Sequence, residues 1–310
     1  MAALPIETVN TAPGHAAGRF GMGRVGARKR GAPLADHLLA AVPTLWLAVF
    51  FLAPLAFTVV FSFGHSTFGG VALGFTFDNY RAALSGFYGA TLARTILFAV
   101  TASALVIAIA YPAAYFLARH TKRRRTLALL LVLIPYFSSF LIRVMALTML
   151  MSRGGAVEAV LNALHLHAGP LDILDTQTAV FIGMVYVYLP IAVVPLFVVL
   201  DRIPKSLVEA SRDLGASRLA TFRTVTLPLS RPGLATAALL TAVPMLGEMV
   251  IPKLLGGSRG VLMGQAIAQQ YLQSQNYPLG SAMAVLVLLV IAVLVFALAR
   301  LTKGFDEVAA

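Results

Sequence analysis

Long apolar segments, separated by short polar or basic stretches, dominate the chain. Six such segments are predicted, at residues 38–63, 90–118, 126–151, 178–200, 233–251 and 280–301. A helix rises about 1.5 Å per residue, so roughly 20 residues cross a hydrocarbon core of about 30 Å. Each segment is near or above that length. The pattern therefore predicts an all-α membrane protein with six transmembrane helices in one domain, at residues 38–303.

The two ends of the chain lack this apolar pattern. Residues 1–37 are rich in Gly, Ala, Pro and Arg, and we expect them to form a disordered basic cytoplasmic tail. The first apolar segment is too long for the core of a signal peptide, which spans about 7–15 residues, so it is interpreted as an uncleaved helix. Residues 304–310 are expected to form a short cytoplasmic C-terminus.

Composition and charge support a membrane protein. Apolar residues make up 59% of the chain and charged residues 12%, against about 25% charged in a soluble domain. The net charge of +12 could indicate nucleic-acid binding, but the basic residues form short clusters between the apolar segments, without a basic groove of interleaved aromatics. Placing most of the 24 lysines and arginines inside predicts that both termini are cytoplasmic.

Two short helices are predicted in the cytoplasmic loop at residues 201–229. We expect Pro204 to begin the first helix, Ser206 to cap it with Glu209 in a capping box, and Gly215 to end it. Its apolar ridge consists of Leu207, Ala210 and Leu214. The second helix, at residues 217–223, is followed by a Leu-Pro pair. A compact knob of this kind predicts a partner protein with a matching groove.

This loop resembles the EAA motif of ABC importer permeases. That pattern has Glu-Ala-Ala, a Gly six residues after the Glu, and Ile-x-Leu-Pro ten residues after the Gly. Matching positions here are Glu209, Ala210, Gly215, Val225, Leu227 and Pro228, and Ser211 replaces the second Ala. The resemblance implies that an ATPase cleft receives a coupling helix, with these coupling residues: Glu209, Ala210, Asp213, Leu214, Gly215, Leu227 and Pro228. The alternative is an amphipathic helix resting on the membrane surface.

Further segments are similar to spermidine/putrescine-type permeases, namely residues 141–143, 188–190, 247–257 and 276–281. The resemblance implies a type I ABC importer permease fold in the bacterial inner membrane. It also implies a solute such as putrescine or spermidine, although the same subfamily includes permeases for opines, phosphonates and iron. The expected partners are ATPase subunits, a second permease subunit in a heterodimer, and a periplasmic binding protein. No cofactor is expected on this chain, because ATP and Mg²⁺ bind to the ATPase.

Candidate residues of the substrate pathway lie within the predicted segments. Glu248 is an acidic residue inside the fifth segment, where a charge costs at least about 2.5 kcal/mol. Helix rise places Glu248 about 24 Å and Arg143 about 25 Å from the inner end. The two could pair, or Glu248 could contact a cationic substrate, or it could lie at the outer surface. Aromatic candidates for binding an amine, or for ordinary packing, are Tyr136, Phe137, Tyr186, Tyr188 and Tyr271.

Other functions are disfavoured by missing patterns. The sequence lacks a phosphate-binding Gly-x-x-x-x-Gly-Lys-Ser/Thr loop and a His-Glu-x-x-His motif. It therefore predicts a non-catalytic chain. A stand-alone secondary transporter, the remaining rival, usually carries internal repeats, and none is detected here. In the outer segment at residues 252–279, a glutamine-rich stretch predicts a short amphipathic helix at or dipping into the outer surface.

Overall fold

The computed structural model describes residues 34–68, 70–120, 125–166 and 170–303. The chain divides into two units, Met1–Phe51 and Leu52–Ala310. Most of the predicted N-terminal tail and all of the predicted C-terminal segment at 304–310 lie outside the described residues. In the first unit, helix α1 (Leu34–Leu47) begins slightly before the predicted first segment. Its exposed side chains include Val42, Leu45 and Trp46, as expected for a helix that faces lipid.

The second unit consists mainly of helices joined by short connections. Its first half contains α2 (Ala53–Ser62), β1 (His65–Thr67), β2 (Gly70–Ala72), α3 (Asp78–Leu84), α4 (Gly86–His120), α5 (Arg125–Leu133), α6 (Phe140–Met151), α7 (Ala156–Ala163) and α8 (Gln177–Arg202). Its second half contains α9 (Lys205–Asp213), α10 (Arg218–Thr221), α11 (Leu227–Leu229), α12 (Arg231–Leu246), α13 (Val250–Leu255), α14 (Met263–Leu272) and α15 (Tyr277–Lys303). The two strands pair antiparallel, with His65 opposite Ala72.

Helices α4, α8 and α12 pack together at the centre of this unit, with α15 beside them. The α4 face toward its neighbours carries small buried residues, including Ala102, Ala110 and Ala114. Small side chains let helices in a membrane approach closely, where van der Waals contact replaces the hydrophobic driving force. A buried hydrogen bond of 2.5 Å joins the hydroxyls of Ser103 and Thr241 and ties α4 to α12.

Four helices of the described chain are long and apolar enough to cross a membrane: Ala41–Ser62, Gly86–Arg119, Gln177–Arg202 and Tyr277–Arg300. Two bent pairs raise that number to six if each pair counts as one span. The first is Leu127–Phe137 with Phe140–Met151, bent by 85°. The second is Arg218–Leu229 with Arg231–Leu246, bent by 62°. The number of candidate spans therefore equals the predicted six only if each bent pair is counted as one span.

The third predicted segment, at 126–151, is broken in the structure. After α5 the chain makes a 3₁₀ turn at Ile134–Phe137 that contains Pro135. Ser138 is then extended, with φ −74° and ψ 157°, before α6 begins at Phe140. Proline lacks an N–H group and clashes with the preceding turn of a helix. The helix therefore breaks here and redirects α6.

The fifth predicted segment, at 233–251, also divides. Helix α12 ends at Leu246, after Pro244, and α13 begins at Val250. Residues 247–249 form a short break between the two helices. Glu248 therefore lies in a non-helical connection and not inside a continuous helix, which determines how its carboxylate is bound.

The glutamine-rich helix of the outer segment is present as α14 and dips into the second unit. Its buried residues include Met263 and Gln265 in the N-terminal half and Gln270 near the C-terminal end. The Met263 N–H donates to Thr95 Oγ1 at 2.8 Å, and Gln270 Nε2 donates to Tyr88 OH at 2.8 Å. The side chain of Gln270 and the backbone of Met263 therefore both attach α14 to α4 by hydrogen bonds.

Candidate functional site

The loop after α8 folds into the predicted pair of short helices. Helix α9 follows Pro204 and ends before Gly215, whose φ of +86° lies in the left-handed region that glycine adopts most easily. The predicted cap by Ser206 is wrong, because the N-cap position is occupied by Pro204 and no side chain caps the helix. Ser206 already lies inside the first turn, so the capping box with Glu209 does not form.

The second helix is shorter than the predicted 217–223. Ser217 caps α10, accepting a hydrogen bond of 3.2 Å from the Ala220 N–H. After Thr221 the chain continues as a π-helical turn, Phe222–Thr226, before α11. π-helical turns are rare and frequent at functional positions.

Buried contacts fasten this loop to the helices of the second unit. The ring of Phe222 lies edge-on to Tyr111 and Tyr115 of α4, with centroids 5.8 and 6.4 Å apart. The Tyr111 hydroxyl is 2.8 Å from the hydroxyl of Ser230, just before α12. At the other end, Arg119 Nη1 donates to the Ile203 carbonyl at 3.2 Å. The loop is therefore held against α4 at both of its ends, close to the start of α12.

The outer face of the loop is exposed. Helix α9 has no buried residue. Leu207 is 45% exposed and Leu214 is 89% exposed, although both are apolar. Among the predicted coupling residues, five are exposed, Glu209, Ala210, Asp213, Leu214 and Gly215, whereas Leu227 and Pro228 are half-buried. The motif positions thus divide into an exposed set and a half-buried set.

A cavity of about 410 Å³ lies where α6, α8 and α12 meet. It is lined by Tyr136, Ser138, Phe140, Arg143, Val187, Tyr188, Ile191, Leu240 and Pro244. Three of the residues predicted as candidates for the substrate pathway, Tyr136, Arg143 and Tyr188, therefore meet at one cavity. The Arg143 guanidinium carbon lies 5.2 Å from the centroid of the Tyr136 ring, within the range of a cation–π contact.

Glu248, another predicted candidate, lies behind Tyr188 and does not line the cavity. The Tyr188 hydroxyl donates to Glu248 Oε2 at 2.8 Å. The other oxygen accepts from the backbone N–H groups of Val250 and Ile251 at 2.8 and 3.3 Å. Glu248 is 8% exposed, so its carboxylate is buried within the second unit, and its depth in the membrane stays a prediction.

The possible ion pair between Glu248 and Arg143 is not formed. Within the described residues, no carboxylate lies within 4.0 Å of the Arg143 guanidinium, and its buried Nε atom has no hydrogen-bond partner. Both oxygens of Glu248 are engaged by the phenol and the two amides at the start of α13, where a negative charge is favoured. The helix break that supplies these amides is the physical reason for the difference.

The remaining aromatic candidates have other surroundings. Tyr186 lines a second cavity of about 280 Å³, which is otherwise apolar and shares Arg143 with the first cavity. Phe137 is 79% exposed. The Tyr271 hydroxyl is 2.6 Å from Ser281 Oγ and its ring packs on Tyr277, so it joins α14 to α15. Sequence reasoning missed Ser138 and Pro244 as lining residues, although the nearby prolines signal the breaks that expose them.

A polar pocket of about 540 Å³ follows α6 and was not predicted. It is lined by Arg153, Leu171, Asp172, Leu174, Asp175, Thr176, Ser258 and Arg259. Arg153 Nε donates to Asp172 at 2.6 Å, and this hydrogen bond raises the pKa of the Arg153 guanidinium. In the described part of the chain, no cluster of three or more His, Cys, Asp or Glu side chains is arranged to hold a metal ion.

Comparison with curated proteins gives extended matches. The spermidine/putrescine transport system permease protein PotB of Escherichia coli strain K12 is 32% identical over 265 residues, covering 84% of this chain and 96% of that protein. The protein of the same name from Haemophilus influenzae is 31% identical over 271 residues, covering 86% and 94%. The inner membrane ABC transporter permease protein YdcU of E. coli K12 is 28% identical over 287 residues, covering 87% and 90%.

Solved structures give the same fold. A chain of a bacterial alginate ABC transporter, in complex with an alginate pentasaccharide-bound periplasmic protein, matches with a TM-score of 0.64 at 18% identity. The match covers 88% of this chain and 96% of that chain. The model of the family described as binding-protein-dependent transport system inner membrane component matches residues 107–306. This range includes the loop with its exposed face and the lining of the main cavity. The chain therefore belongs to the family of inner membrane components of binding-protein-dependent transport systems and has the type I ABC importer permease fold.

Proposed function

We propose that this chain is the permease subunit of an ATP-driven importer that passes a polyamine, such as putrescine or spermidine, from a periplasmic binding protein to the cytoplasm. The observation that carries the proposal is one continuous set of contacts. It runs from the exposed face of α9, through Phe222 and Tyr111, to α4 and α12. Because α12 contributes Leu240 and Pro244 to the main cavity, a pull on the loop reaches the cavity wall.

The exposed face of α9 supports docking of an ATPase. Covering an apolar side chain such as Leu214 with a partner protein lowers the free energy of the complex. The same face contains Glu209, Ala210 and Asp213, and Gly215 forms the turn that follows it. Leu227 and Pro228 lie in the half-buried segment that attaches the loop to the helices. ATP and Mg²⁺ are then bound and hydrolysed by two ATPase subunits, and this chain contributes no catalytic group.

The cargo is inferred from the relatives and from the cavity. Both PotB proteins carry spermidine/putrescine in their names, and they match nearly the whole of their length. An amine can interact with tyrosine rings, and Tyr136 and Tyr188 face the cavity. The Tyr188–Glu248 hydrogen bond polarises the phenol and makes its oxygen a better acceptor.

The remaining partners follow from the assembly that this function requires. A second, different permease subunit would cover the open side of the main cavity, where Tyr136 is 39% exposed. A periplasmic binding protein would deliver the solute to the outer loops. The excess of basic residues in the predicted inner loops favours an inner-membrane orientation with both termini in the cytoplasm.

Docking of the ATPase is tested by co-purification. The change Leu214→Asp places a charge at the centre of the exposed face, and we expect the amount of ATPase recovered with the chain to fall at least about tenfold, since burying a charge costs more than about 1.4 kcal/mol. The matched control is Leu272→Asp, because Leu272 is 78% exposed on α14. Equal recovery of the ATPase with both variants would contradict docking at α9. The ligand retained by the purified binding protein tests the cargo separately.

A further inference from the structure

Arg143 is a buried cation, and no anion among the described residues neutralises it. It is 8% exposed, and its Nε atom is buried without a hydrogen-bond partner. Across the described ranges, no acceptor or carboxylate contacts its guanidinium. An isolated charge in such a position is costly unless it faces a cavity or a compensating group. The positive charge of Arg143 is therefore stabilised mainly by contact with the face of one aromatic ring.

That ring is Tyr136, and Arg143 occupies the position in which an amine would bind. The guanidinium carbon is 5.2 Å from the ring centroid. The negative face of an aromatic ring attracts an ammonium or a guanidinium in the same manner, and one face accommodates one cation. While Arg143 lies there, a second positive group is excluded from this face by volume and by charge.

The position of Arg143 also affects the entry of cations into two neighbouring cavities. It lines the main cavity of about 410 Å³ and also the apolar cavity of about 280 Å³ beside it. Among the described residues that line either cavity, Arg143 carries the only full charge. Repulsion between like charges is strong where water is scarce, and a single arginine is an effective barrier to cations in narrow pores.

We propose that Arg143 is a tethered cation that occupies the amine-accepting face of Tyr136 in the resting cavity and excludes free amines and inorganic cations until transport displaces it. The inference rests on the proposed function in so far as the displacing substrate is an amine. It adds a residue that prevents cation entry in the absence of a delivered substrate. Arg143 thereby determines specificity by occupancy and not by contact with the cargo.

The test measures amine binding to the complete importer in lipid nanodiscs, without binding protein and without ATP. Radiolabelled putrescine and methylammonium are the probes. The wild-type importer should bind neither probe measurably, whereas Arg143→Gln should bind both at least about tenfold more tightly. Arg143→Lys keeps the charge and should behave as wild type. The double change Arg143→Gln with Tyr136→Leu should remove the gained binding.

Each result decides the proposal. No gain of binding in an assembled Arg143→Gln importer overturns it, and so does an equal gain in Arg143→Lys. Binding that survives the loss of Tyr136 overturns the assignment to that ring. Binding of methylammonium tests the exclusion of cations whatever the cargo is, so its result stands even if the wild-type importer fails to take up putrescine. Failure to take up putrescine would instead overturn the proposed function.

A measurement on the unmodified importer covers the case in which the variants do not assemble. A dicarbonyl reagent modifies guanidinium groups, and peptide mapping by mass spectrometry reports Arg143 separately from other arginines. Labelling of Arg143 should increase severalfold during turnover with substrate-loaded binding protein, relative to the resting importer. Labelling that is unchanged or reduced during turnover would contradict displacement from Tyr136.

Discussion

At the scale of single residues, the main feature is how the Glu248 carboxylate is held. One phenol and two backbone amides bind its oxygens, so its charge is compensated without a basic partner. This leaves Arg143 with Tyr136 alone. The two charges that meet the cavity region are thus kept apart, one behind Tyr188 and one over an aromatic ring.

Removal of the Tyr188 hydroxyl tests this arrangement. Tyr188→Phe leaves one oxygen of a buried carboxylate without its donor, and we expect the free energy of unfolding to fall by about 1–3 kcal/mol. Uptake should fall with it. The control is Tyr186→Phe, because the described structure gives the Tyr186 hydroxyl no hydrogen bond. Thermal unfolding of both variants in detergent is the measurement, and equal melting temperatures would contradict a stabilising role for the Tyr188–Glu248 bond.

Residue chemistry was predictable here, but residue pairing was not. Tyr136, Arg143 and Tyr188 were selected as candidates from their types and positions in apolar segments, and they meet at one cavity. Pairing of Arg143 with Glu248, one of the predicted alternatives, is not observed, because the predicted depths of the two residues assume unbroken helices. A break at residues 247–249 creates free amides that satisfy Glu248, and apolar periodicity carries no signal for such a break.

At the scale of elements, breaks and short helices carry the functional features. The bend after Pro135 brings Ser138 and Arg143 to the cavity, and the break after α12 places Glu248 behind it. In the loop after α8, Gly215 separates two short helices. The motif residues predicted this loop well, because proline and glycine mark its turns directly. The π-helical turn after α10 depends on tertiary packing and is not predictable from local pattern.

Gly215 provides a test of the loop. A side chain is strained at φ +86°, and Gly215→Leu should cost about 1–2 kcal/mol and loosen the ATPase-docking face. Gly86→Leu is the matched control, because Gly86 also has positive φ, +52°, with open space around it. We expect both variants to lose similar thermal stability, while only Gly215→Leu loses the co-purified ATPase. Loss of the ATPase in both would show that general stability is being measured.

Gly264 provides a test of the close approach of α14. A Cβ atom there would lie 2.6 and 2.7 Å from backbone atoms of Gly247 and Glu248, and backbone cannot rotate away. Gly264→Ala should therefore lower the free energy of unfolding by about 1–3 kcal/mol. Gly247→Ala is the comparison, since its nearest contact would be 3.9 Å. Equal unfolding temperatures for the two variants would contradict tight packing of α14 on the break.

At the scale of the whole molecule, one end of the helical unit carries an exposed docking face and its interior carries a cavity. Phe222, Tyr111 and Ser230 connect the two through packed rings and a buried hydrogen bond. In the proposed function, an ATPase docked on α9 drives the motion of the cavity through these contacts. The fold class and family could be recognised from the sequence, because apolar length and the loop motif are both local.

The most direct test of the account is accumulation of labelled putrescine by proteoliposomes that contain this chain, its partner permease and its ATPase. The account predicts accumulation that requires both ATP and the loaded binding protein, and that is lost with Leu214→Asp but kept with Leu272→Asp. Accumulation by this chain without an ATPase, or uptake unaffected by Leu214→Asp, would contradict it.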